Sequence, residues 1–416
     1  MAKPKLALLP AAQGTSLYSV LPSSGVGDFN FTRSGSATRI NSQGLIETVA
    51  SGVSRLNYPM IDGVVKGCPH HILEPQRSNL VTYSEAFDNS AWSKYSGATI
   101  VSNDAISPDG TLNAGKFTLG GGVFQQQPVS SNTDYCFSLF VKTDTADYVE
   151  INYVDQTSPY RGGTIRFTFN TKQITITEQS DNNSVSGDFK YYGNGWYRVI
   201  IKYKTNINKN YNYQQIDFNG NAWGFGAMLE QGSYPTSYIP TTTSAVTRSA
   251  ETANGSGDAA TFNDSEGVLM AEISALDNDS DTKRISLSDG TSSNRISLLL
   301  SDETIGGVVV SGGGVAVSVT VSGYDATLNN KILFKYKEND FSIFVNGFEV
   351  LTDTSGITPT GLNELRFDNG YSGNDFYGNT KQVQYYDTAL TDSDLEKLTS
   401  WVSFTDMAES QLYSIE

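Results

Sequence analysis

The stretch WGFGAMLEQGSYPTSYIPTTTSAVTR, residues 223–248, decides how the chain is organised. Large apolar residues such as Phe225 and Leu229 alternate with small or polar ones in its first half, which indicates a strand with one buried face. The glycines between them favour a bulge or a close backbone approach. Pro235 and Pro240 then fix φ and lack an N–H donor, so the second half is extended but is not a central strand. We predict that one β domain ends here and that a stiff connection, with few buried side chains, leads into the next.

Short alternating runs lie on both sides of this connection. In residues 81–245, CFSLFVKT, DYVEINYV, TIRFTFNT and QITITEQS alternate like sandwich strands, and GNGWYRVIIKYKT is apolar on both faces, as in a covered central strand. In residues 246–395, RISLSDGTSSNRISLLLSD is typical of a hairpin that turns at Asp289-Gly290. The sequence therefore predicts an all-β fold with two β-sandwich domains, 81–245 and 246–395.

Composition supports this class and argues against two kinds of partner. Charged residues make up 17% of the chain, against a typical value of about 25%. The net charge of −16 argues against nucleic-acid binding, which needs clustered Lys and Arg, and against an anionic membrane surface. Apolar runs fall short of the roughly 20 residues of a membrane span. The run LALLPAA is too short, with Pro10 inside it, for a signal peptide.

Residues 1–80 contain extended, proline-broken pieces such as FNF, GLIETV and HHILEP, and no helical periodicity. Their apolar content is too small for an independent core, so we expect strand edges that need partners. Identical chains around an axis would supply them, which favours a homo-oligomer and an attachment role for this segment. The alternative is that the segment folds back onto the first sandwich of its own chain and leaves a monomer.

One helix is predicted, over residues 391–408. Thr391 is its N-cap, Asp394 completes a capping-box pattern, and Leu395, Leu398 and Val402 share one face. Residues 396–416 are thus the end of a short C-terminal helix and a tail.

Several phrases resemble bacteriophage structural proteins of the head-fibre and tail-fibre type. GAMLEQGSYPTSYIPTTTSAVTRSAE resembles a junction in those proteins between a carbohydrate-binding-module-like jelly roll and a laminin-G-like, or concanavalin-A-like, domain. FNTKQ and NGWYR resemble the jelly roll. FYGNTKQVQYYDTALTDSDLEKLT resembles the end of the laminin-G-like domain, where the last strand returns beside the first and a short helix follows.

The resemblance implies a non-enzymatic virion protein on the capsid or tail surface. It implies a trimer, contact with other virion proteins through residues 1–80, and weak binding of host-surface glycans by lectin-like domains. A glycan-degrading enzyme of concanavalin-A-like fold and a secreted bacterial adhesin are the competing classes.

Enzymatic and metal-binding motifs are weak. His70 and His71 follow Cys68, but adjacent histidines point apart on an extended chain and no second Cys/His cluster completes a tetrahedron. We expect Cys68 and Cys136, in different domains, to stay reduced. The best match to a glycosidase carboxylate pair is Glu364 with Asp368. Arg366 lies between them on the same face, which favours a structural ion pair over a catalytic acid.

Two groups of residues are candidate binding sites. Asp277, Asp279 and Asp281 alternate in DNDSDT and supply hard oxygen ligands of the type that Ca²⁺ takes, although an acidic, solvated hairpin tip is the favoured explanation. No other cofactor is predicted. Exposed aromatic rings with polar neighbours commonly bind sugars. The candidates in apparent loops or strand ends of the first domain are Tyr153, Tyr160, Arg161, Tyr211 and Tyr213.

Overall fold

The structure, a computed structural model, describes residues 2–10, 19–118, 121–155, 161–179, 184–205 and 211–410. Strands dominate it, and two short helices lie near the C-terminal end. This confirms the predicted all-β class. No helix in these ranges is both long enough and apolar enough to cross a membrane.

The described part of the first 80 residues, 2–10 and 19–80, contains ten short strands: β1 (Leu6–Leu8), β2 (Ser19–Leu21), β3 (Asn30–Thr32), β4 (Ala37–Ile40), β5 (Ile46–Val49), β6 (Arg55–Asn57), β7 (Met60–Ile61), β8 (Val64–Val65), β9 (His70–Leu73) and β10 (Arg77–Asn79).

The first sandwich contains β11 (Ser93–Tyr95), β12 (Thr99–Ile106), β13 (Leu112–Thr118), β14 (Gly121–Pro128), β15 (Asp134–Thr143), β16 (Tyr148–Asp155), β17 (Arg161–Thr168), β18 (Gln173–Gln179), β19 (Val185–Tyr191), β20 (Tyr197–Lys204), β21 (Tyr211–Phe218) and β22 (Ala222–Gln231). Its front sheet has the order β11-β14-β21-β16-β17-β18, and its back sheet has the order β12-β13-β22-β15-β20-β19. Buried side chains such as Phe137 and Phe167 fill the space between the two sheets.

The deciding stretch begins with a strand, as predicted, but the expectation of one buried face is wrong. β22 is buried on both faces, with Phe225 on the outer side of the back sheet and Leu229 in the core between the sheets. In β22, Gly226 has a φ of 64°, and the register with β15 shifts between Ser138 and Phe140. A positive φ is readily accessible to glycine, so the structure confirms the bulge expected from the glycines. β20 is also confirmed as an interior, well-covered strand of the back sheet.

Two short strands, β23 (Val246–Arg248) and β24 (Thr252–Asn254), precede the second sandwich. The sandwich itself contains β25 (Glu266–Ala275), β26 (Lys283–Ser288), β27 (Arg295–Ser301), β28 (Thr304–Ser311), β29 (Gly314–Ser322), β30 (Asn330–Lys337), β31 (Phe341–Val345), β32 (Phe348–Asp353), β33 (Glu364–Arg366) and β34 (Gly378–Tyr386). A five-stranded sheet has the order β29-β28-β27-β26-β33. β26 and β27 form the predicted hairpin. In the facing sheet the last strand, β34, pairs with the first long strand, β25.

The N-terminal strands complete sheets of the same chain. β1 and β9 pair with successive parts of the free edge of β34, with Leu6 opposite Tyr385 and Leu73 opposite Gly378. β3 pairs with β24, and β10 pairs with β23. The β4–β5 hairpin packs Ile40 and Ile46 against the outer face of the back sheet of the first sandwich. The expectation of unpaired strand edges in residues 1–80 is therefore wrong for these strands, because β34 and its neighbours satisfy them.

A buried network of ion pairs joins the N-terminal strands to the connection between the sandwiches. Glu251 accepts hydrogen bonds from Arg33 Nη1 at 2.7 Å and from Arg55 Nε at 2.9 Å. Glu74 accepts from Arg55 Nη2 at 2.8 Å and pairs with Arg248 at 2.7 Å. All five side chains are at most 2% exposed. Burial opposes the charged form of Glu74, but Arg248 and Arg55 outweigh it and lower its pKa to about 2.

The connection itself buries more than its sequence indicates. Tyr234, Tyr238 and Ile239 are each less than 8% exposed. Tyr238 packs on Phe225 with a distance of 5.5 Å between ring centroids. The expectation that few side chains are buried here is therefore wrong; only residues 242–247 form an exposed run.

The C-terminal helix is shorter than predicted. Thr391 caps α1 (Asp392–Thr399) by accepting from the Asp394 N–H, as expected. The chain then leaves the helix at Ser400, whose hydroxyl bonds to Glu396 O at 2.7 Å, and a second helix, α2 (Phe404–Ser410), follows. Side-chain hydroxyls that donate to the last carbonyl oxygens of a helix compete with the backbone N–H groups that would continue it. Val402, predicted on the buried face, is 90% exposed.

Candidate functional site

The outer face of the front sheet in the first sandwich carries a continuous array of polar and aromatic side chains. Alternation along each strand points one set into the core and the other set outward. On β21 the outward residues are Tyr213, Gln215 and Asp217, between the buried Ile216 and Phe218. Register places their outward neighbours on the adjoining strands: Phe124 and Asn152 opposite Gln215, Glu150 opposite Asp217, Arg166 opposite Glu150, and Tyr95 opposite Gly122.

A hydrogen-bond network fixes the centre of this face. The Tyr95 hydroxyl bonds to the Asp217 carboxylate and accepts from Gln215 Nε2 at 3.2 Å. Asn152 Nδ2 donates to Asp217 Oδ2 at 3.1 Å. The Oδ1 atom of Asn152 is buried and has no partner among the described residues. Four side chains from three strands are thus held in fixed positions, with one acceptor left over.

Gly122 makes room for this network. A Cβ atom at this position would lie 2.5 Å from the Tyr95 hydroxyl and 2.5 Å from the Ile216 carbonyl oxygen. Contacts that short do not occur for real Cβ atoms, so the tyrosine ring lies over a strand that must carry glycine here.

The two carboxyl groups at the centre, those of Asp217 and Glu150, have different surroundings. Burial raises the pKa of Asp217, and neighbouring Glu150 acts in the same direction. Burial and the Asp217 carboxylate raise the pKa of Tyr95, which therefore stays protonated. Glu150 is instead paired with Arg166, at 2.7 Å from Nη2.

Aromatic rings border the network. Phe124 lies between Tyr95, at 5.9 Å, and Tyr213, at 5.5 Å, measured between ring centroids. On the other side, the Arg166 guanidinium lies 3.9 Å from the centre of the Tyr148 ring. The face therefore combines flat apolar surfaces with fixed hydrogen-bonding groups.

The structure brings one of the predicted sugar-binding residues to this face. Tyr213 is half-buried beside Phe124. Tyr153 points into the core, is 1% exposed and stacks on Tyr203 at 3.9 Å, so its selection as a surface residue was wrong. Tyr160 lies outside the described residues. Arg161 and Tyr211 begin β17 and β21, but their side chains also lie outside the described part of the chain.

Sequence reasoning missed most of the array because it looked in loops. The outward positions Tyr213, Gln215 and Asp217 were readable from the alternation in YNYQQIDF. Their cross-strand neighbours Tyr95 and Phe124 come from β11 and β14, and only the strand order brings them alongside β21.

The three aspartates of the calcium prediction do not converge on one point. Asp279 pairs with Lys283, and Asp277 accepts a hydrogen bond from Ser233 at 3.0 Å. Asp281 donates its backbone N–H to Asp279 Oδ1 at 3.1 Å. Across the described ranges, no group of three or more His, Cys, Asp or Glu side chains has a metal-binding arrangement.

The other weak motifs are the histidine pair and the two cysteines. His70 and His71 lie in β9 as expected, and burial lowers the pKa of each to about 3. Cys68 is exposed and Cys136 is buried, and both are free thiols.

Arg366 forms the predicted ion pairs. It lies 3.1 Å from Glu364 and 2.9 Å from Asp368, which confirms the structural interpretation of that carboxylate pair.

Comparisons with known proteins give structural similarities only. No model of a protein family matches the chain, and no curated protein does. Among solved structures, the CBM40 module of the Ruminococcus gnavus IT-sialidase aligns with 35% of this chain and 92% of the module, at 16% identity and a TM-score of 0.30. The botulinum neurotoxin serotype G binding domain aligns with 56% of this chain and 49% of that chain, at 10% identity and a TM-score of 0.28. Sheep galectin-11 aligns with 30% of this chain and 86% of that chain, at 12% identity and a TM-score of 0.21. Such low scores carry no functional argument, so the site must be argued from its own geometry.

Proposed function

We propose that the first sandwich binds a glycan on the outer face of its front sheet. The observation that carries this proposal is the fixed Tyr95–Asp217–Asn152–Gln215 network with aromatic rings on both sides of it. A sugar ring presents apolar C–H patches and several hydroxyls, and flat rings beside oriented polar groups complement both. The strand framework holds these groups in place before binding, which reduces the entropic cost of association.

Individual residues have distinct roles in this proposal. The rings of Phe124 and Tyr213 supply the stacking surface. Asp217 accepts hydrogen bonds from sugar hydroxyls, and Arg166 donates to sugar oxygens. The face is open and its polar groups are few, so binding is expected to be weak for one copy. Several copies on one particle would raise it through avidity.

We propose binding without cleavage. Glu150 and Asp217 lie opposite each other on neighbouring strands, so they are the pair to compare with the two carboxyls of a glycosidase. Glu150 is paired with Arg166, and Asp217 is hydrogen-bonded to Tyr95 and Asn152, which favours a structural and binding role for both carboxyls over an acid–nucleophile pair. A reducing-sugar assay on host capsule tests this directly. Activity that disappears in Asp217→Asn would favour the enzyme alternative.

We further propose that the chain is a bacteriophage virion protein of the head-fibre or tail-fibre class. The resemblance of the junction, jelly-roll and laminin-G-like phrases supports this proposal. Mass spectrometry of purified virions tests it, and absence of the chain there would favour a secreted adhesin. Attachment through residues 1–80 and trimer formation are parts of the same proposal. Because the strands of that segment pair within the chain, trimer formation now rests on the resemblance alone; light scattering of the full chain tests it.

A glycan array with matched variants tests the binding site. We expect wild type to bind at least one glycan class, and Phe124→Ala and Asp217→Asn to lose most of that signal. Phe348→Ala is the control, since Phe348 is 71% exposed on β32 of the second sandwich and lies off the proposed face. Equal loss in the control, or retention in both face variants, would refute the assignment.

A further inference from the structure

Two arginines on the outer face of the five-stranded sheet in the second sandwich have no acidic partner. Arg284 lies on β26 and Arg295 on β27, with their alternate neighbours Ile285 and Ile296 in the core. Among arginines with described side chains, seven form ion pairs with carboxylates: Arg33, Arg39, Arg55, Arg77, Arg166, Arg248 and Arg366. Arg198 instead donates to the Ser138 hydroxyl and the Thr236 carbonyl oxygen. Arg284 and Arg295 form no ion pair with a described carboxylate, although the chain has 44 acidic residues.

Their hydrogen-bonding atoms are also left without partners. Nε and Nη1 of Arg284 and Nε of Arg295 are buried and unsatisfied within the described part of the chain. Only one nitrogen of the pair, Arg295 Nη1, donates, to the carbonyl oxygen of Ser292. In native proteins roughly 90% or more of buried polar groups have a partner. Three unsatisfied guanidinium atoms on one sheet face therefore indicate a missing acceptor.

The surroundings form a defined, partly covered site. Residues 368–370 lie over the same face, held by hydrogen bonds from Ser286 Oγ to Asp368 O and from Ser288 Oγ to Gly370 O. The chain then returns to the edge of β26, where the Arg284 N–H donates to Asn374 O at 2.9 Å. A Cβ atom on Gly370 would lie 3.3 Å from Cδ of Arg295, so the chain runs close against that side chain. In this same segment, Oδ1 of Asn369 is buried and unsatisfied. Both arginines stay partly exposed.

Electrostatics favour an anion here. Burial lowers the pKa of both arginines, and the proximity of Arg295 lowers that of Arg284 further. Two like charges in a partly desolvated place raise the free energy of the unliganded protein, and an anion between them would relieve that repulsion. The planar guanidinium matches carboxylate and sulfate oxygens in a two-pronged geometry.

We propose that Arg284 and Arg295 form a second binding site, which takes the carboxylate or sulfate group of an acidic oligosaccharide. A long polyanion such as a nucleic acid fits poorly, because the net charge of −16 would repel it away from these two residues. The site lies on a different domain from the glycan-binding face of the first sandwich. It goes beyond the function proposed there and can hold if that function fails.

Calorimetric titration of the full chain tests the site. The probes are oligogalacturonate for the carboxylate, a sulfated galactan oligosaccharide for the sulfate ester, and neutral galactan oligosaccharide of equal length. We expect one charged probe to bind and the neutral probe to leave this site empty. Arg284→Gln and Arg295→Gln should each weaken binding about tenfold or more, since each removes a charged hydrogen-bond donor. Raised salt should weaken binding as well.

Controls separate this proposal from misfolding and from the first site. Arg39→Gln removes a surface arginine that pairs with Glu47 and should bind the charged probe like wild type. Phe124→Ala should also keep this binding, because it affects only the first sandwich. Neither arginine variant should lower the urea midpoint, since no ion pair is lost. No binding of either charged probe by wild type, or undiminished binding by both arginine variants, would overturn the proposal.

Discussion

Glu251→Gln should be among the most damaging single substitutions in this chain that leave side-chain volume unchanged. Glu251 accepts from Arg33 and Arg55 and also from the backbone N–H of Glu74 at 2.9 Å. In the wild type, three buried arginines face two buried glutamates: Arg33, Arg55 and Arg248 against Glu74 and Glu251. The substitution leaves three positive charges against one negative charge, without access to water.

The size of the destabilisation follows from this charge imbalance. Removing one partner of a buried ion pair costs about 3–5 kcal/mol, because the remaining charge is desolvated and unpaired. Glu47→Gln is the matched control in the same N-terminal segment. Its carboxylate is 37% exposed and pairs with Arg39, so its loss should cost about 1 kcal/mol or less.

Urea unfolding, followed by tryptophan fluorescence, measures both values as changes in the free energy of unfolding. A double variant adds a sharper test. Arg33→Gln should destabilise the Glu251→Gln variant less than it destabilises the wild type, because it removes one unpaired charge. We expect a coupling free energy between the two substitutions of about 1 kcal/mol or more. If Glu251→Gln lowers the free energy of unfolding no more than Glu47→Gln does, or if the effects of Glu251→Gln and Arg33→Gln are additive, the buried network does not stabilise the connection between the sandwiches.

Four further outcomes are expected. Limited proteolysis should cut within the exposed residues 242–247, yet size exclusion should recover one particle, because β1 and β9 pair with β34 across the cut; separate fragments would contradict this. Gly122→Ala should destabilise the first sandwich by about 1–3 kcal/mol through overpacking and should weaken glycan binding in proportion. Since Glu74 has a folded pKa of about 2, below its ordinary value of 4.5, its stabilisation is complete above pH 4.5 and is lost as pH falls towards 2; Glu74→Gln should show a flatter stability profile over that interval. A thiol reagent should label exposed Cys68 in the native protein and Cys136 only after unfolding, because burial raises the pKa of the Cys136 thiol.

The sequence by itself determined the class of structure and its local features. Period-two alternation and turn residues sufficed for the strands, for the hairpin at Asp289-Gly290 and for the bulge in β22, because these depend on neighbours close in the chain. The Thr391 cap and the Arg366 ion pairs were predictable for the same reason: their partners lie two or three residues away.

Tertiary structure decided what depends on distant residues. The pairing of β1 and β9 with β34 joins residues about 300 to 380 positions apart, and no local pattern in residues 1–80 distinguishes a strand that pairs with its own chain from one that pairs with a neighbour. The tyrosines show both cases. Tyr153 alternates in phase with the buried Val149 and Ile151, so its core position was predictable from its own strand, whereas only the strand order sets Tyr213 beside Phe124. The proposed binding face depends on β11, β14, β21 and β16 lying side by side, and strand order is set by the burial of the whole core and not by any one strand's sequence.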